Sequence, residues 1–316
     1  MRIHGLAIQA TVALPGLATT DSPVADVVFE LVDHLAAPTA VRTRYRSGAP
    51  DDTDSRVEIV DDASGSTSFR YGDGTAFDVV HDTRPARIRA AIAPGQTLED
   101  LAAYLYGPVL GFLLRSWGRL ALHASCVRID DAAVLLAGHS GSGKSTTAAA
   151  LATRGTPVMS DDLTALSSDG GQFVAWPAFD HVRLWAESEL IVLDDGALLD
   201  RITPSWDKRR FPLTGASFAD DRCPVRAVIV LEPRSATARA VSRPIAPARA
   251  VLTLAALTYA NYLLDPAMRA TELAQLGALA RSVPVYSLVP PSGREGVDAL
   301  CAEILSLSVR HAALRA

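Results

Sequence analysis

A glycine-rich turn at residues 138–146 lies between an apolar run and an alanine-rich run. Its spacing, with glycine at 138 and Gly-Lys-Ser at 143–145, matches the Walker A pattern completely. We expect the apolar run to form a buried strand and a helix to extend from Ser145 to about Arg154. A flexible glycine-serine turn is the alternative interpretation, but the strand before it and the helix after it favour a phosphate-binding loop.

Each residue type in this loop has a physical reason to be there. Glycines tolerate positive φ and carry no Cβ, so successive backbone N–H groups can approach a phosphate closely. The start of the following helix adds its unpaired amides to the same anion site. The pattern assigns a lysine to the β- and γ-phosphates and a serine hydroxyl to Mg²⁺. The nucleotide-binding residues predicted in this way are Gly138, Ser140, Gly141, Ser142, Gly143, Lys144, Ser145 and Thr146.

Composition narrows the class of protein. The chain has 316 residues, 49% of them hydrophobic, which is ample for one large or two modest packed domains. A net charge of −5 and the absence of any lysine-rich block exclude the basic surface that gathers nucleic acid. The most apolar stretch, residues 101–126, is interrupted by glycines and arginines, so we expect no membrane span. The three cysteines are far apart and have neither the spacing of metal ligands nor that of a disulfide framework. The N-terminus has no long apolar segment of the kind found in signal peptides, so we expect a cytoplasmic location.

Three regions are predicted along the chain. Residues 1–95 alternate weakly between apolar and polar positions and predict a small N-terminal β or α+β domain. Its strands are expected at 3–14, 26–32, 41–45, 56–60, 67–71 and 77–81. Thr97, followed by an acidic residue at position 100, predicts a helix start, and residues 96–118 are expected to be a connecting helix divided near Gly107-Pro108.

Residues 119–316 are predicted to form the P-loop domain, an α/β unit with a mixed sheet flanked by helices. Its expected strands are 120–129, 132–137, 158–159, 173–175, 181–185, 226–231 and an edge strand at 284–289. Its expected helices, beyond the one after the loop, are 187–200, 247–264, 267–282 and 294–314.

Two adjacent carboxylates, Asp161 and Asp162, follow the short strand at 158–159. Carboxyl ends of strands in open α/β sheets face the ligand crevice, so we expect the pair to face the phosphates. A role as a turn or helix cap is the alternative. No guanine-reading Asn-Lys-x-Asp follows, which argues against a GTPase.

These motifs together resemble the HPr kinase/phosphorylase family and its shorter relatives, including the serine kinases of lasso-peptide biosynthetic clusters. Four pieces carry the resemblance, all within residues 120–165: the histidine of Leu122-His123-Ala124-Ser125, the loop Gly-x-Ser-Gly-x-Gly-Lys-Ser, the Arg-Gly after its helix, and Ser160-Asp161-Asp162. The Glu-Ile-Arg segment of HPr kinases is not evident, and its nearest counterpart is His181-Val182-Arg183. The resemblance therefore does not extend to HPr as the substrate or to the phosphorylase reaction.

The resemblance implies a role for each site residue. Asp161 would orient the acceptor hydroxyl or accept its proton, with Lys144 and His123 as the other catalytic residues. Asp162 would hold Mg²⁺ together with Ser145. Independently of the resemblance, the positive charges of Arg183, Lys208 and Arg209 make them candidates for contact with substrate or phosphate, although a solvated loop at 208–210 is an equal alternative.

The function expected from these features is an ATP- and Mg²⁺-dependent kinase that phosphorylates a serine of a protein or precursor peptide. The first residues, 1–95, would help to position that substrate. A regulatory P-loop ATPase switch and a small-molecule kinase stay open as alternatives, as does self-association into a homo-oligomer.

Overall fold

The computed structural model of the chain describes residues 1–17, 19, 23–47, 56–193, 198–204, 206–236, 239–293 and 295–312. The chain divides into two compact units. The first unit comprises Met1–Gly118, Thr203–Ser205 and Ala260–Ala270, and the second unit comprises Arg119–Ile202, Trp206–Tyr259 and Thr271–Ala316.

The first unit contains an eight-stranded sheet with the order β1-β2-β3-β8-β7-β6-β5-β4. Its strands are β1 (Arg2–Ile3), β2 (Leu6–Ala10), β3 (Val27–Leu31), β4 (Ala40–Ser47), β5 (Val57–Asp62), β6 (Thr67–Tyr71), β7 (Ala76–Val80) and β8 (Ala86–Ala91). Strand β3 pairs in parallel with β2 and β8, and the other pairs are antiparallel. Strand β8 was not expected from the sequence, although its buried and exposed residues alternate as in a half-buried strand.

Two short helices close the first unit, α1 (Leu98–Tyr104) and α2 (Leu110–Ser116). The predicted start is confirmed, because Thr97 and Asp100 form a reciprocal capping box. The expected break near Gly107-Pro108 is instead a π-helical turn, Leu105–Val109, that joins the two helices. Proline lacks an N–H and clashes with the preceding turn, and a wider turn accommodates both constraints without ending the helix.

The second unit is organised around a nine-stranded mixed sheet. The strands of this unit are β9 (Leu120–Leu122), β10 (Ala124–Ile129), β11 (Ala132–Ala137), β12 (Val158–Ser160), β13 (Thr164–Asp169), β14 (Gln172–Trp176), β15 (His181–Trp185), β16 (Lys208–Pro212), β17 (Cys223–Leu231), β18 (Val241–Pro244) and β19 (Val285–Val289). Strands β15 and β16 form a separate hairpin, and the other nine share the sheet. Strands β11, β17 and β19 are parallel neighbours, so their carboxyl ends meet at one edge.

Helices cover both faces of this sheet. The remaining helices of the chain are α3 (Lys144–Ala152), α4 (Ala186–Val192), α5 (Pro247–Ala256), α6 (Pro266–Ser282) and α7 (Glu295–Ala312). Leu254 and Leu279 pack in an apolar cluster on one face, and Leu151 and Ile304 pack in a second cluster on the other. The near-continuous apolar character of β11 follows, because all six of its residues are buried.

Several sequence expectations for this unit were wrong in detail. The strand expected at 120–129 is interrupted at His123, whose backbone N–H donates to Leu257 O instead of continuing the ladder. Strand β19 is not an edge strand, because it pairs with β17 and β18. The helix expected at 187–200 ends at Val192, with 194–197 outside the described residues, and the one at 247–264 ends at Ala256.

Strands β13, β16 and β18 were not expected. Residues 208–210 lie in β16 and are not a loop. No helix within the described residues combines the length and the apolar character needed to cross a membrane.

Candidate nucleotide-binding and phosphoryl-transfer site

The turn between β11 and α3, residues 138–143, is called the phosphate loop below. Gly138 has φ +152°, and a Cβ placed on it would lie 2.6 Å from Ser142 Oγ and 2.9 Å from the carbonyl oxygen of Leu231. The Leu231 oxygen belongs to the end of β17, so it has little freedom to move away. Only glycine fits this close approach between the loop and the neighbouring strand. Gly143, at φ +93°, forms the left-handed N-cap of α3.

Lys144 is the first residue of α3 and is almost completely buried, with 6% of its surface exposed. Its Nζ donates to the carbonyl oxygens of Gly138, at 2.8 Å, and His139, at 3.0 Å. Burial lowers the pKa of the Lys144 ammonium from its ordinary value, although the nearby Asp161 and Asp162 raise it. These two hydrogen bonds tie the Lys144 side chain to the first residues of the phosphate loop, and its ammonium lies near the carboxylates of Asp161 and Asp162.

Asp161 follows the end of β12 and is 1% exposed. Its Oδ1 accepts hydrogen bonds from Ser145 Oγ at 2.8 Å and from Ser125 Oγ at 2.6 Å, and its Oδ2 accepts from the backbone N–H of Arg183 at 2.9 Å. Three elements, α3, β10 and β15, thus hold one carboxylate in place. This carboxylate faces the hydroxyl that the Walker A pattern assigns to Mg²⁺.

Asp162 has a different environment from its neighbour. Its backbone is left-handed, at φ +69°, which is uncommon for a residue other than glycine. Its Oδ2 accepts from the hydroxyl of Tyr259 at 3.2 Å and lies 3.9 Å from Nη1 of Arg183. Burial raises the pKa of Asp162, but the charges of Arg183 and Lys208 and the Tyr259 hydrogen bond outweigh it, and the pKa lies below its ordinary value. Asp162 is therefore ionised at neutral pH.

His123 contacts Asp162 through the backbone and the side chain. Its Nδ1 lies 2.9 Å from the carbonyl oxygen of Asp162 and 3.4 Å from Oδ1 of the same residue. A carbonyl only accepts, so the Nδ1 in this contact carries the proton. Burial lowers the pKa of His123, which keeps the imidazole neutral at pH 7. The neutral ring thus supports the strained backbone of Asp162.

The β15–β16 hairpin carries the three basic residues that were expected to contact substrate or phosphate, Arg183, Lys208 and Arg209, and places them on two different faces. Trp185 pairs with Lys208, and Leu184 pairs with Arg209. Successive residues of a strand face opposite sides, so Lys208 shares a face with Arg183 whereas Arg209 lies on the other face. There Arg209 forms ion pairs with Asp207 and Glu189 and does not line the cavity described next. The expected contact of Arg209 with substrate has no support in this arrangement.

A cavity of about 250 Å³ opens over the phosphate loop and is called the main cavity. The sequence-predicted residues that line it are His123, Ser140, Gly141, Gly143, Lys144, Ser145, Thr146, Asp162, Arg183 and Lys208. The other predicted residues, Gly138, Ser142, Asp161 and Arg209, lie outside its lining. One cavity thus combines the loop, an ionised carboxylate and two cations from the β15–β16 hairpin.

Sequence reasoning missed several residues of this site. Tyr259 and Arg234 come from segments far along the chain, and no sequence signal marks either of them. Ser125, which donates to Asp161, lies in the His-Ala-Ser segment and could have been found from that motif. Trp185, 54% exposed, also lines the main cavity, and its ring lies 5.2 Å from Lys208 Nζ.

The donor set suits Mg²⁺ better than a transition metal. Ser145 and Asp161 provide a hydroxyl and a carboxylate oxygen 2.8 Å apart. Mg²⁺ is usually held by one or two carboxylates together with substrate phosphates and water. Within the described ranges no cluster of three or more His, Cys, Asp or Glu side chains could hold a metal, so a self-sufficient protein cage is not present there.

Comparisons with known proteins add little to this geometry. No family model and no curated protein matches the chain. Among solved structures it is similar to the Hpr(Ser) kinase/phosphatase from Coxiella burnetii, with 16% sequence identity over 62% of this chain and 97% of that chain. The TM-score is 0.31, which is too low to support a conclusion about fold or activity.

Proposed function

We propose that this protein is an ATP- and Mg²⁺-dependent kinase that transfers the γ-phosphoryl group to a serine hydroxyl of a protein or precursor peptide. One observation carries the proposal: the phosphate loop with Lys144 and the ionised Asp162 line the same cavity. Phosphoryl transfer requires positioning and charge neutralisation more than covalent help, and this cavity offers both.

The phosphate loop and α3 supply the nucleotide end of the reaction. Glycines at 138, 141 and 143 let the backbone N–H groups converge, and the start of a nine-residue helix adds its unpaired amides. Lys144 lies within the lining and is positioned to move its ammonium from the loop carbonyls to phosphate oxygens. These groups favour a polyphosphate over a neutral ligand.

The contacts favour exchanging the roles that the resemblance implied for the two aspartates. Asp161 is buried and already accepts a hydrogen bond from Ser145, so the two oxygens lie close enough to be ligands of one ion. We therefore assign Mg²⁺ to Asp161 and Ser145. Mg²⁺, when bound with the nucleotide, would neutralise charge on the phosphate oxygens. Asp162 lines the main cavity and has its carboxylate available to an acceptor.

Asp162 would orient the acceptor hydroxyl and receive its proton. The hydroxyl oxygen forms a bond to the γ-phosphorus as the bond from that phosphorus to the bridging oxygen breaks, and ADP leaves with the electron pair. The low pKa of Asp162 makes it a weak base, so its first contribution is orientation, with the proton arriving late. Arg183 and Lys208 would neutralise the transferring group, and His123 is a positioning residue that supports Asp162.

The test offers labelled ATP and Mg²⁺ to the purified protein with candidate serine-containing precursor peptides, and separately with free serine and common sugars. We expect label on a peptide serine, since the motif resemblance is to serine kinases. Label only on the small molecules would overturn the peptide acceptor. Label released only as inorganic phosphate would favour the switch ATPase, and the Lys144→Ala protein serves as the background control.

Asp161→Asn is expected to raise the Mg²⁺ concentration needed for half-maximal activity and to lower the free energy of unfolding by about 1–3 kcal/mol. The asparagine amide would place an N–H against the N–H of Arg183, or against the two serine hydroxyls, so one buried donor loses its acceptor. A magnesium titration and denaturant unfolding of the metal-free protein measure the two effects. An unchanged magnesium requirement would return the metal role to Asp162.

A further inference from the structure

Arg234 lies three residues beyond the end of β17 and was not singled out by any sequence motif. Its Nη2 is 3.1 Å from the point that a Cβ on Gly143 would occupy, so the guanidinium lies directly against the phosphate loop. Arg234 lines the main cavity and also a smaller one beside the start of α3, where Thr146 and Thr147 are its neighbours. The guanidinium therefore borders two cavities that share Gly143 and Thr146 in their linings.

The backbone that carries Arg234 is held on both sides. The N–H of Glu232 donates to Leu288 O at 2.9 Å, and the N–H of Ser235 donates to Pro290 O at 2.9 Å. The N–H of Ser292 donates back to Ser235 O at 2.9 Å. This short segment is thus fastened to β19 and to the residues after it, which presents Arg234 from a fixed position.

The charge of Arg234 is available to a ligand. No hydrogen bond or ion pair with another described residue engages its guanidinium, and the side chain is exposed. A guanidinium presents a planar fork of N–H donors that matches two phosphate oxygens. Its guanidinium lies at Gly143, within the lining of the main cavity.

We propose that Arg234 binds the α- and β-phosphates of the nucleotide and holds them against the phosphate loop. Backbone N–H groups of a Walker A loop cradle the α- and β-phosphates while the lysine reaches the β- and γ-phosphates, so a cation at Gly143 contacts the former. The inference rests on the proposed function only in taking a nucleoside polyphosphate as the ligand. Because ADP retains both phosphates, Arg234 contributes equally to ATP and ADP affinity.

The test measures Mg·ATP and Mg·ADP binding by calorimetry to the wild-type, Arg234→Ala, Arg234→Lys and Arg243→Ala proteins. Arg243 is an exposed arginine on β18 outside the lining of both cavities, so Arg243→Ala is the matched control. We expect Arg234→Ala to weaken both nucleotides by about tenfold or more, because a charge-assisted contact is lost. Arg234→Lys should restore part of the affinity, since lysine keeps the charge but not the fork.

Two outcomes overturn the inference. Unchanged ATP and ADP affinity in Arg234→Ala would show that the guanidinium contacts neither, and a loss for ATP alone would place it at the γ-phosphate. Unfolding of each nucleotide-free variant checks that the effect is not a folding defect. Nucleotide binding requires no phosphate acceptor. A wild-type protein that binds ATP but transfers no phosphate would therefore contradict only the proposed kinase activity. The nucleotide affinities of the Arg234 variants would still test the inference about Arg234.

Discussion

Lys144→Ala is expected to reduce nucleotide-dependent phosphoryl transfer by about three orders of magnitude or more, the size of effect seen when a preorganised group at the reacting charge is removed. Lys144 is 6% exposed at the start of α3, and the lining of the main cavity contains only one other lysine, Lys208 on the β15–β16 hairpin. Arg183, Lys208 and Arg234 also line this cavity but extend from other elements, so none of them reproduces the position of Lys144 at the first turn of α3.

The measurement is the initial rate of label transfer at saturating Mg²⁺, with nucleotide binding measured in parallel. The alanine removes the donor to Gly138 O and His139 O, so some loss of stability is expected and thermal unfolding must still show one cooperative transition. Arg243→Ala is the control for removing a cation from the surface of the same unit. Undiminished turnover by Lys144→Ala would refute the assignment of the phosphate loop.

Asp162→Asn is expected to depress phosphoryl transfer by about two to four orders of magnitude while ATP affinity changes by only a few-fold. Asparagine keeps the shape of the side chain and can still accept from Tyr259, but it cannot receive the acceptor's proton. Asp169→Asn is the matched control, because Asp169 is an exposed carboxylate paired with Arg222 away from the main cavity.

The pH dependence of the wild-type protein follows from the same carboxylate. The pKa of Asp162 is lower in the folded protein than its ordinary value, so activity should be flat through neutral pH and fall only as pH drops through that low pKa. Stability follows the same sign, because the favourable contacts of ionised Asp162 are lost over that acid range. An Asp162→Asn protein with wild-type activity, or a wild-type activity that falls near pH 6–7, would contradict this role.

Local features of both units could be predicted from the sequence. The strand, phosphate loop and helix at 132–152 depend on neighbouring residues alone: an apolar run, glycines with positive φ, and an alanine-rich segment. The capping box of Thr97 and Asp100 is equally local. In each case the residues that interact are only a few positions apart, so their spacing already contains the geometry.

Side-chain direction depends on pairing and could not be predicted in the same way. Residues 208–210 read as a basic cluster, but the register of β16 against β15 places Lys208 in the main cavity and Arg209 on the opposite face. The interruption at His123 similarly depends on a hydrogen bond to Leu257, more than a hundred residues away. A sequence pattern carries no information on such partners.

The pattern of neighbouring residues predicts a Walker A loop with a lysine and a serine, followed by a pair of aspartates. Only the tertiary structure separated the two aspartates, because burial against Ser125 and Ser145 occupies Asp161 whereas Tyr259, Arg183 and His123 surround an ionised Asp162. The same is true of Arg234, which reaches Gly143 only because β17 runs parallel to β11 and both strands end at one edge of the sheet. Residue identity sets what a side chain can do, and long-range packing sets which charges and donors it meets.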